Sequence, residues 1–244
     1  MNARLKAFTF HLVISAVIAL AVIAIVFYLW YPAPLHTAVG VTQIFLILLA
    51  VDVVLGPVLT LIVYKVGKKT LVMDLAVIAF LQVSALSYGL FTVAEGRPAW
   101  LVFAADRFDL VRILDIDERK LQQADAKYRQ PSLLGPQWVT AINPTDNEER
   151  NDIIMESVFA GVDIAQRPNL YQPLNSQKAE IKKRLFELSA LSSFNPVDDV
   201  TAVLAQHPSA DTWLPLRANN QDMVVLMQRD TAGVVAIVDL RPWN

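Results

Sequence analysis

The stretch Phe8–Tyr31, FTFHLVISAVIALAVIAIVFYLWY, runs for 24 positions without a Lys, Arg, Asp or Glu. About 20 consecutive apolar residues make a helix long enough to cross the ~30 Å hydrocarbon core of a bilayer. Two similar runs follow before residue 95. Val39–Tyr64 is interrupted only by Asp52, and Leu75–Ala94 carries no formal charge. Arg4 and Lys6 precede the first run, Pro32 and Pro34 break the chain after it, and Glu95-Gly96-Arg97-Pro98 closes the third. The pattern predicts a membrane domain over 1–98, with spans at about 8–31, 39–64 and 75–94, and a second domain over 99–244. The first run is longer than the roughly 7–15 residue core of a signal peptide, and no Ala-x-Ala pattern follows it, so the span is expected to be retained.

Direction follows from the Lys and Arg residues, which concentrate in cytoplasmic loops. Arg4 and Lys6 lie before the first span, and Lys65, Lys68 and Lys69 lie after the second. The Pro32–Ala38 loop has neither residue type. The expected topology is a multi-pass protein of the bacterial inner membrane. Its N-terminus and Lys65–Lys69 loop are cytoplasmic, and its domain from residue 99 to Asn244 is periplasmic. Arg97 alone opposes this assignment.

Residues 99–244 carry 15 Lys and Arg against 20 Asp and Glu, a formal charge of −5. An acidic domain lacks the basic stripe that nucleic-acid binding needs, so no nucleic-acid partner is expected. The chain has no cysteine, which removes disulfides and Cys-ligated metals. His11, His36 and His207 are too scattered to predict a zinc site or a Ser-His-Asp triad. The acidic run from Asp106 to Glu118 lacks calcium-loop spacing. Gly135 and Gly161 are isolated, so there is no phosphate loop. No catalytic, cofactor-binding or metal residue is predicted, no small-molecule substrate is identified, and no enzyme is expected.

Short strands are predicted at Trp100–Ala105, Phe108–Ile113, Trp138–Ile142, Trp213–Leu216, Met223–Gln228 and Val234–Leu240. Asp230–Gly233 is the expected turn between the last two. Helices are predicted at Asp117–Tyr128 and from a Thr145/Glu148 capping box to about Ala160, with Ile154 and Val158 inward and Gly161 as the stop. Further helices are predicted at Gln177–Leu191, with Ile181, Leu185 and Leu188 buried, and from Asn195-Pro196 to about His207. Strands and helices mix without βαβ alternation, so the fold class is a three-span membrane protein with an α+β periplasmic domain.

Asp52 is the sharpest residue in the membrane half. A charge at a helix centre costs ~2.5–3.5 kcal/mol on insertion scales, so such residues face a helix bundle. At ~1.5 Å per residue it lies about 18 Å from the cytoplasmic end, level with Ser87. Gly56 and Thr60 extend its face at four-residue spacing, where small residues permit close helix approach. Asp52, Gly56, Thr60 and Ser87 are therefore the candidates for packing a partner helix. The simpler reading is that Asp52 ties the second and third spans together. Gln82 and Ser15 share a depth and read as packing contacts.

Several segments together resemble one family. They are WYPAPL (Trp30–Leu35), VDVVLGPVLTLIVY (Val51–Tyr64), DLAVI (Asp74–Ile78) and EGRPAWLVF (Glu95–Phe103), followed by DRFDLVR (Asp106–Arg112). The chain is similar in these segments to the TfpX/TfpZ family of type IV pilin accessory proteins. The resemblance implies an inner-membrane, chaperone-like partner of a type IV major pilin, acting before or during pilus assembly. It carries no catalytic residues. The alternatives are a membrane-anchored periplasmic sensor and a membrane enzyme of unknown substrate.

Overall fold

The computed structural model describes residues 2–243, so the expected periplasmic terminus at Asn244 lies outside the described residues. The chain divides into two compact units. A helical unit holds the residues up to Pro32 together with Val41–Gly96, and a sheet unit holds Ala33–Gly40 together with the chain from Arg97 onward.

Among the described residues, three helices are long and apolar enough to cross a membrane. The first is α1 (Ala3–Ala24), which continues as a π-helical turn over Ile25–Trp30. After α2 (Leu35–Val39), which belongs to the sheet unit, come α3 (Val41–Val63) and α4 (Leu71–Glu95). Each buries one narrow seam. On α1 and its extension the seam is Ser15, Ala19, Val22 and Val26; on α3 it is Phe45, Leu49, Gly56 and Thr60. These spacings of three, four and seven residues trace one helix face. Most remaining Leu, Ile, Val and Phe side chains point outward, as a lipid-facing surface would require. The Tyr31 hydroxyl donates to the Val93 carbonyl at 2.7 Å and closes one end of the bundle.

The sheet unit is built on β1 (Pro98–Ala104), β2 (Arg107–Arg112), β3 (Gln137–Ala141), β4 (Tyr171–Pro173), β5 (Phe186–Glu187), β6 (Thr212–Arg217), β7 (Met223–Gln228) and β8 (Gly233–Val238). They form one mixed sheet in the order β4-β3-β1-β2-β6-β7-β8, with β5 also paired to β6. Helices α5 (Asn147–Phe159), α6 (Lys178–Arg184) and α7 (Val197–Gln206) complete the unit. Strand residues alternate between faces. Leu101, Phe103, Phe108, Leu110, Leu214, Leu216 and Val225 fill one face, and Ile181 of α6 covers it. Leu35 and Ala38 of α2 join that same core, although they lie between two spans in sequence. The other face carries two clusters, one around Trp100, Tyr128 and Tyr171 and one around Trp213, Val224 and Leu226.

Four expectations for the sheet unit need correction. Asp117–Tyr128 is not a helix; it is two 3-10 turns, Leu121–Gln123 and Ala126–Tyr128, with Ala124 between them in extended conformation. Tyr128 meets Trp100 and Tyr171 edge-on at 5.8 and 5.9 Å, and burying that ring outweighs the modest propensity of a short run.

The next helix is capped by Asp146, not Thr145. The Asp146 carboxylate accepts from the Glu148 and Glu149 amides at 3.4 and 3.2 Å. Ile153 is its buried residue, while Ile154 and Val158 point outward. The apolar residues of α5 spread over too wide an arc for one buried stripe. Gly161, at φ +69°, does terminate the turn beyond it.

The predicted helix Gln177–Leu191 breaks after Arg184. Leu185 is extended, Phe186 and Glu187 pair with Trp213 and Thr212, and a 3-10 segment follows over Leu188–Ser193. Leu185 packs on the first face of the sheet and Leu188 on the second, which one continuous helix cannot achieve. Asn195 also departs from its expected role as a helix cap. Its amide donates to the Leu191 and Arg241 carbonyls at 3.0 and 2.9 Å and locks the C-terminal segment.

Candidate functional site

In the helical unit the small and polar residues of α3 meet α1 and α4. An added Cβ on Gly56 would overlap the Gln82 amide, so glycine is what lets α4 approach this closely. Gln82 Nε2 donates to the Asp52 carbonyl at 3.0 Å. Thr60 Oγ1 and His11 Nδ1 are hydrogen-bonded at 2.6 Å, and Thr60 is buried. A cavity of about 150 Å³ opens beside these contacts, lined by His11, Ser15, Asp52 and Gln82 among apolar neighbours. Asp52, Gly56 and Thr60 thus occupy one region, and their contacts run within the unit. Ser87 is exposed on α4 and does not join them. Sequence reading missed His11 and Gln82 as the partners. The signal was present: four-residue spacing puts His11 and Ser15 on one face of α1.

In the sheet unit the notable place is the edge of β6. One edge of this strand serves two partners. Thr212 and Trp213 pair with β5, and Leu216 and Arg217 pair with β2. Pro215 lies between the two pairings and has no N–H to offer a ladder. A gap remains there, a cavity of about 340 Å³ lined by Arg107, Phe186, Phe194, Trp213, Pro215 and Trp243. Phe186 stacks on Trp213 at 4.9 Å and forms one wall. Trp243 Nε1 donates to Asp222 at 2.8 Å and is held on the rim. Aromatic walls with one guanidinium suit an apolar or aromatic side chain, or the face of a proline.

Buried Asp109 lies beside the gap on β2. Its Oδ1 contacts Arg217 Nε at 2.6 Å and Arg107 Nε at 3.3 Å, and Arg217 reaches Asp163 at 3.5 Å. Burial pushes the Asp109 carboxyl above the usual carboxylate range, with Arg217 and Arg107 opposing the shift. Asp109 itself lines a second cavity of about 300 Å³, together with Asp115, Ser157, Asp163 and Arg217. The ion cluster therefore joins two cavities along the seam where β2 and β6 meet.

A separate ion network pins α5. Arg119 donates to Asp117 at 2.8 Å and to Glu156 at 3.0 Å, and Arg167 donates to Glu156 at 2.5 Å. The Arg119 and Arg167 hydrogen bonds hold the Glu156 carboxyl down at about 2. No group of three or more metal-ligating side chains forms among the described residues.

The family described as "Fimbrial assembly protein FimB" matches residues 1–40. Two relatives from Dichelobacter nodosus match over nearly the whole chain. The fimbrial assembly protein of serogroup E1 is 34% identical over 236 residues, covering 93% of this chain and 91% of that protein. The serogroup I protein is 29% identical over the same shares. The protein of serogroups C1 and C2 is 32% identical over 116 residues, 47% of this chain and 88% of its own. No solved structure matches. An identity of 34% over 93% of the chain, a span that takes in both units, decides the matter: the chain belongs to the family of these fimbrial assembly proteins.

Proposed function

We propose that this protein serves type IV fimbrial assembly as a membrane-held accessory that binds a pilin subunit before or during its incorporation. The observation that carries the reading is the near full-length similarity to proteins named for fimbrial assembly. It agrees with the segments that resemble the TfpX/TfpZ accessory proteins. The role is non-enzymatic: the protein holds and positions its partner.

A pilin awaiting assembly has an apolar helix in the inner membrane and a folded head outside it. One chain with three spans and a folded domain can grip both parts, and linking two weak contacts raises avidity without strengthening either. In this reading the N-terminus and the Lys65–Lys69 loop are cytoplasmic, as the Lys/Arg asymmetry supports. The sheet unit is periplasmic, and its aromatic gap beside Pro215 meets the pilin head. The membrane contact is helix packing on the outward faces of the spans, because the Gly56 and Thr60 contacts are made within the bundle.

Deleting the gene and complementing it tests the role. Surface fimbriae should fall while pilin synthesis continues, and the wild-type chain should restore them. Unchanged fimbriation in the deletion strain would overturn the proposal. A C-terminal alkaline phosphatase fusion should be active; an inactive fusion at normal abundance would overturn the topology.

A further inference from the structure

The strand register of the sheet unit gathers its outward-pointing leucines at one end. The chain leaves this unit for an apolar helix at Ala33, at Gly40 and at Arg97, with at most a few residues of linker. All three junctions belong to the same end of the sheet. Arg97 directly precedes β1, and its carbonyl accepts from the Ile113 amide at 3.1 Å, beyond the last residue of β2. The Ala38 carbonyl accepts from the Asn220 and Gln221 amides, at 2.9 and 3.1 Å, in the turn between β6 and β7. The chain therefore passes into its apolar helices from this one end of the sheet.

Three leucines stand out at that end. Leu114, 54% exposed, follows the Ile113 amide that caps Arg97. Leu133 and Leu134, 69% and 77% exposed, precede β3, whose first residue Gln137 pairs with Trp100 near the start of β1. At ~3.3 Å per residue they lie no more than about 13 Å of chain from that pairing. Their presentation is fixed. Pro131 and Pro136 flank them, Gly135 takes φ +113°, and the Leu134 amide donates to Ser132 Oγ at 3.0 Å. The C-terminal turn of α5 adds exposed Phe159, since Ser157 and Gly161 line a cavity together with Asp115 and Asn219 from this end.

Exposed apolar side chains gathered on one face mark a contact surface. We propose that Leu114, Leu133, Leu134 and Phe159 insert into the headgroup boundary of the membrane and seat the sheet unit on the lipid surface. A shallow apolar insertion of this kind adds a second attachment to the covalent one. The occupant is lipid, not a second protein, because the chain enters its apolar helices from this end at all three junctions.

The absence of cysteine makes the test direct. Full-length Leu133→Cys, Leu134→Cys, Phe159→Cys and Asp230→Cys variants, each carrying an NBD label, are reconstituted into phosphatidylcholine–phosphatidylglycerol vesicles. Exposed Asp230, in the β7–β8 turn at the other end of the sheet, is the aqueous control. Labels at 133, 134 and 159 should emit to the blue of the label at 230. Spin-labelled lipid should quench them several-fold more than it quenches the control. Water-like emission equal to that at 230 would overturn the proposal. Blue emission without lipid quenching would overturn it in favour of a second copy covering the patch. A Leu133→Asp/Leu134→Asp variant, well removed from the core, should lose the quenching at position 159; retained quenching would remove the two leucines from the anchor.

Discussion

The two units place their polar groups in opposite ways. In the helical unit the exterior is mostly apolar, and His11, Thr60 and Gln82 turn inward to join helices: His11 to Thr60, and Gln82 to the Asp52 carbonyl. In the sheet unit the core is apolar, and charge lies in networks at the surface and along one seam, as with Arg107, Asp109 and Arg217. The reason is the solvent. Lipid cannot satisfy a polar group, so each one in a span needs a protein partner. Water satisfies exposed charges, so a surface ion pair contributes little. The same residue type therefore carries different weight in the two units. A glycine or threonine in α3 fixes a helix crossing, whereas several charges on α5 trim one helix end.

If this contrast is right, losses should rank by burial and by which solvent is displaced. The largest belongs to Trp100→Ala. Trp100 is fully buried between Tyr128 and Tyr171, and such truncations cost roughly 3–5 kcal/mol. Hydrogen exchange on the full chain in nanodiscs should show amides of the sheet unit opening while the spans stay protected. Exchange rising equally in both units would break the comparison.

Leu35→Ala sharpens the boundary. Leu35 sits between two spans in sequence, yet it is buried in the sheet core. A cost of about 2–5 kcal/mol should fall on the sheet unit. The same change made at Ile47, exposed on α3, should leave both units near wild type. A loss confined to the helical unit would place Leu35 wrongly.

Gly56→Leu comes next. Its side chain must displace Gln82, and overpacking costs about 1–3 kcal/mol. Protein abundance in membranes should fall, and Gly56→Ala should fall less. Normal abundance with lost fimbriae would mean that the glycine faces another protein.

The smallest effect is the acid response of α5. The Glu156 carboxyl sits at about 2, below its ordinary value, because Arg119 and Arg167 hydrogen-bond to it. The stabilisation is complete above the ordinary glutamate range and is lost as pH falls toward 2. Asp117, lowered mainly by its Arg119 hydrogen bond, has the same sign. Glu156→Gln should flatten the acid limb of the sheet unit's unfolding curve slightly. An unchanged acid limb would show that the network does not couple to folding.

Legibility in the sequence follows the same division. A charge-free run as long as Phe8–Tyr31 has one reading, because backbone groups in lipid leave the chain no choice but a helix. The sheet strands were readable from apolar runs such as LVF and MVVLM. Short amphipathic segments were not. Gln177–Leu191 has helical spacing throughout, yet Leu188 is needed on the opposite face of the sheet from Ile181. Propensity along a segment carries no information about which face a distant strand will offer. The Asp52 region was legible from one charge and two small residues, but its partners His11 and Gln82 come from other helices. The gap at Pro215 depends on two non-adjacent strands sharing one edge, and no local pattern records that. Leu35 and Ala38 read as a loop because nothing near them in sequence shows the core they enter.

The central claim is that this chain holds a pilin through both units, and site-specific photo-crosslinking in living cells tests it most directly. A benzophenone side chain is placed at Phe186, on the wall of the gap, and at Ile47, outward on α3. Illumination should give a pilin adduct from each position, and none from exposed Asp230 in the β7–β8 turn. Cells that assemble normal fimbriae while neither Phe186 nor Ile47 yields a pilin adduct would contradict the account.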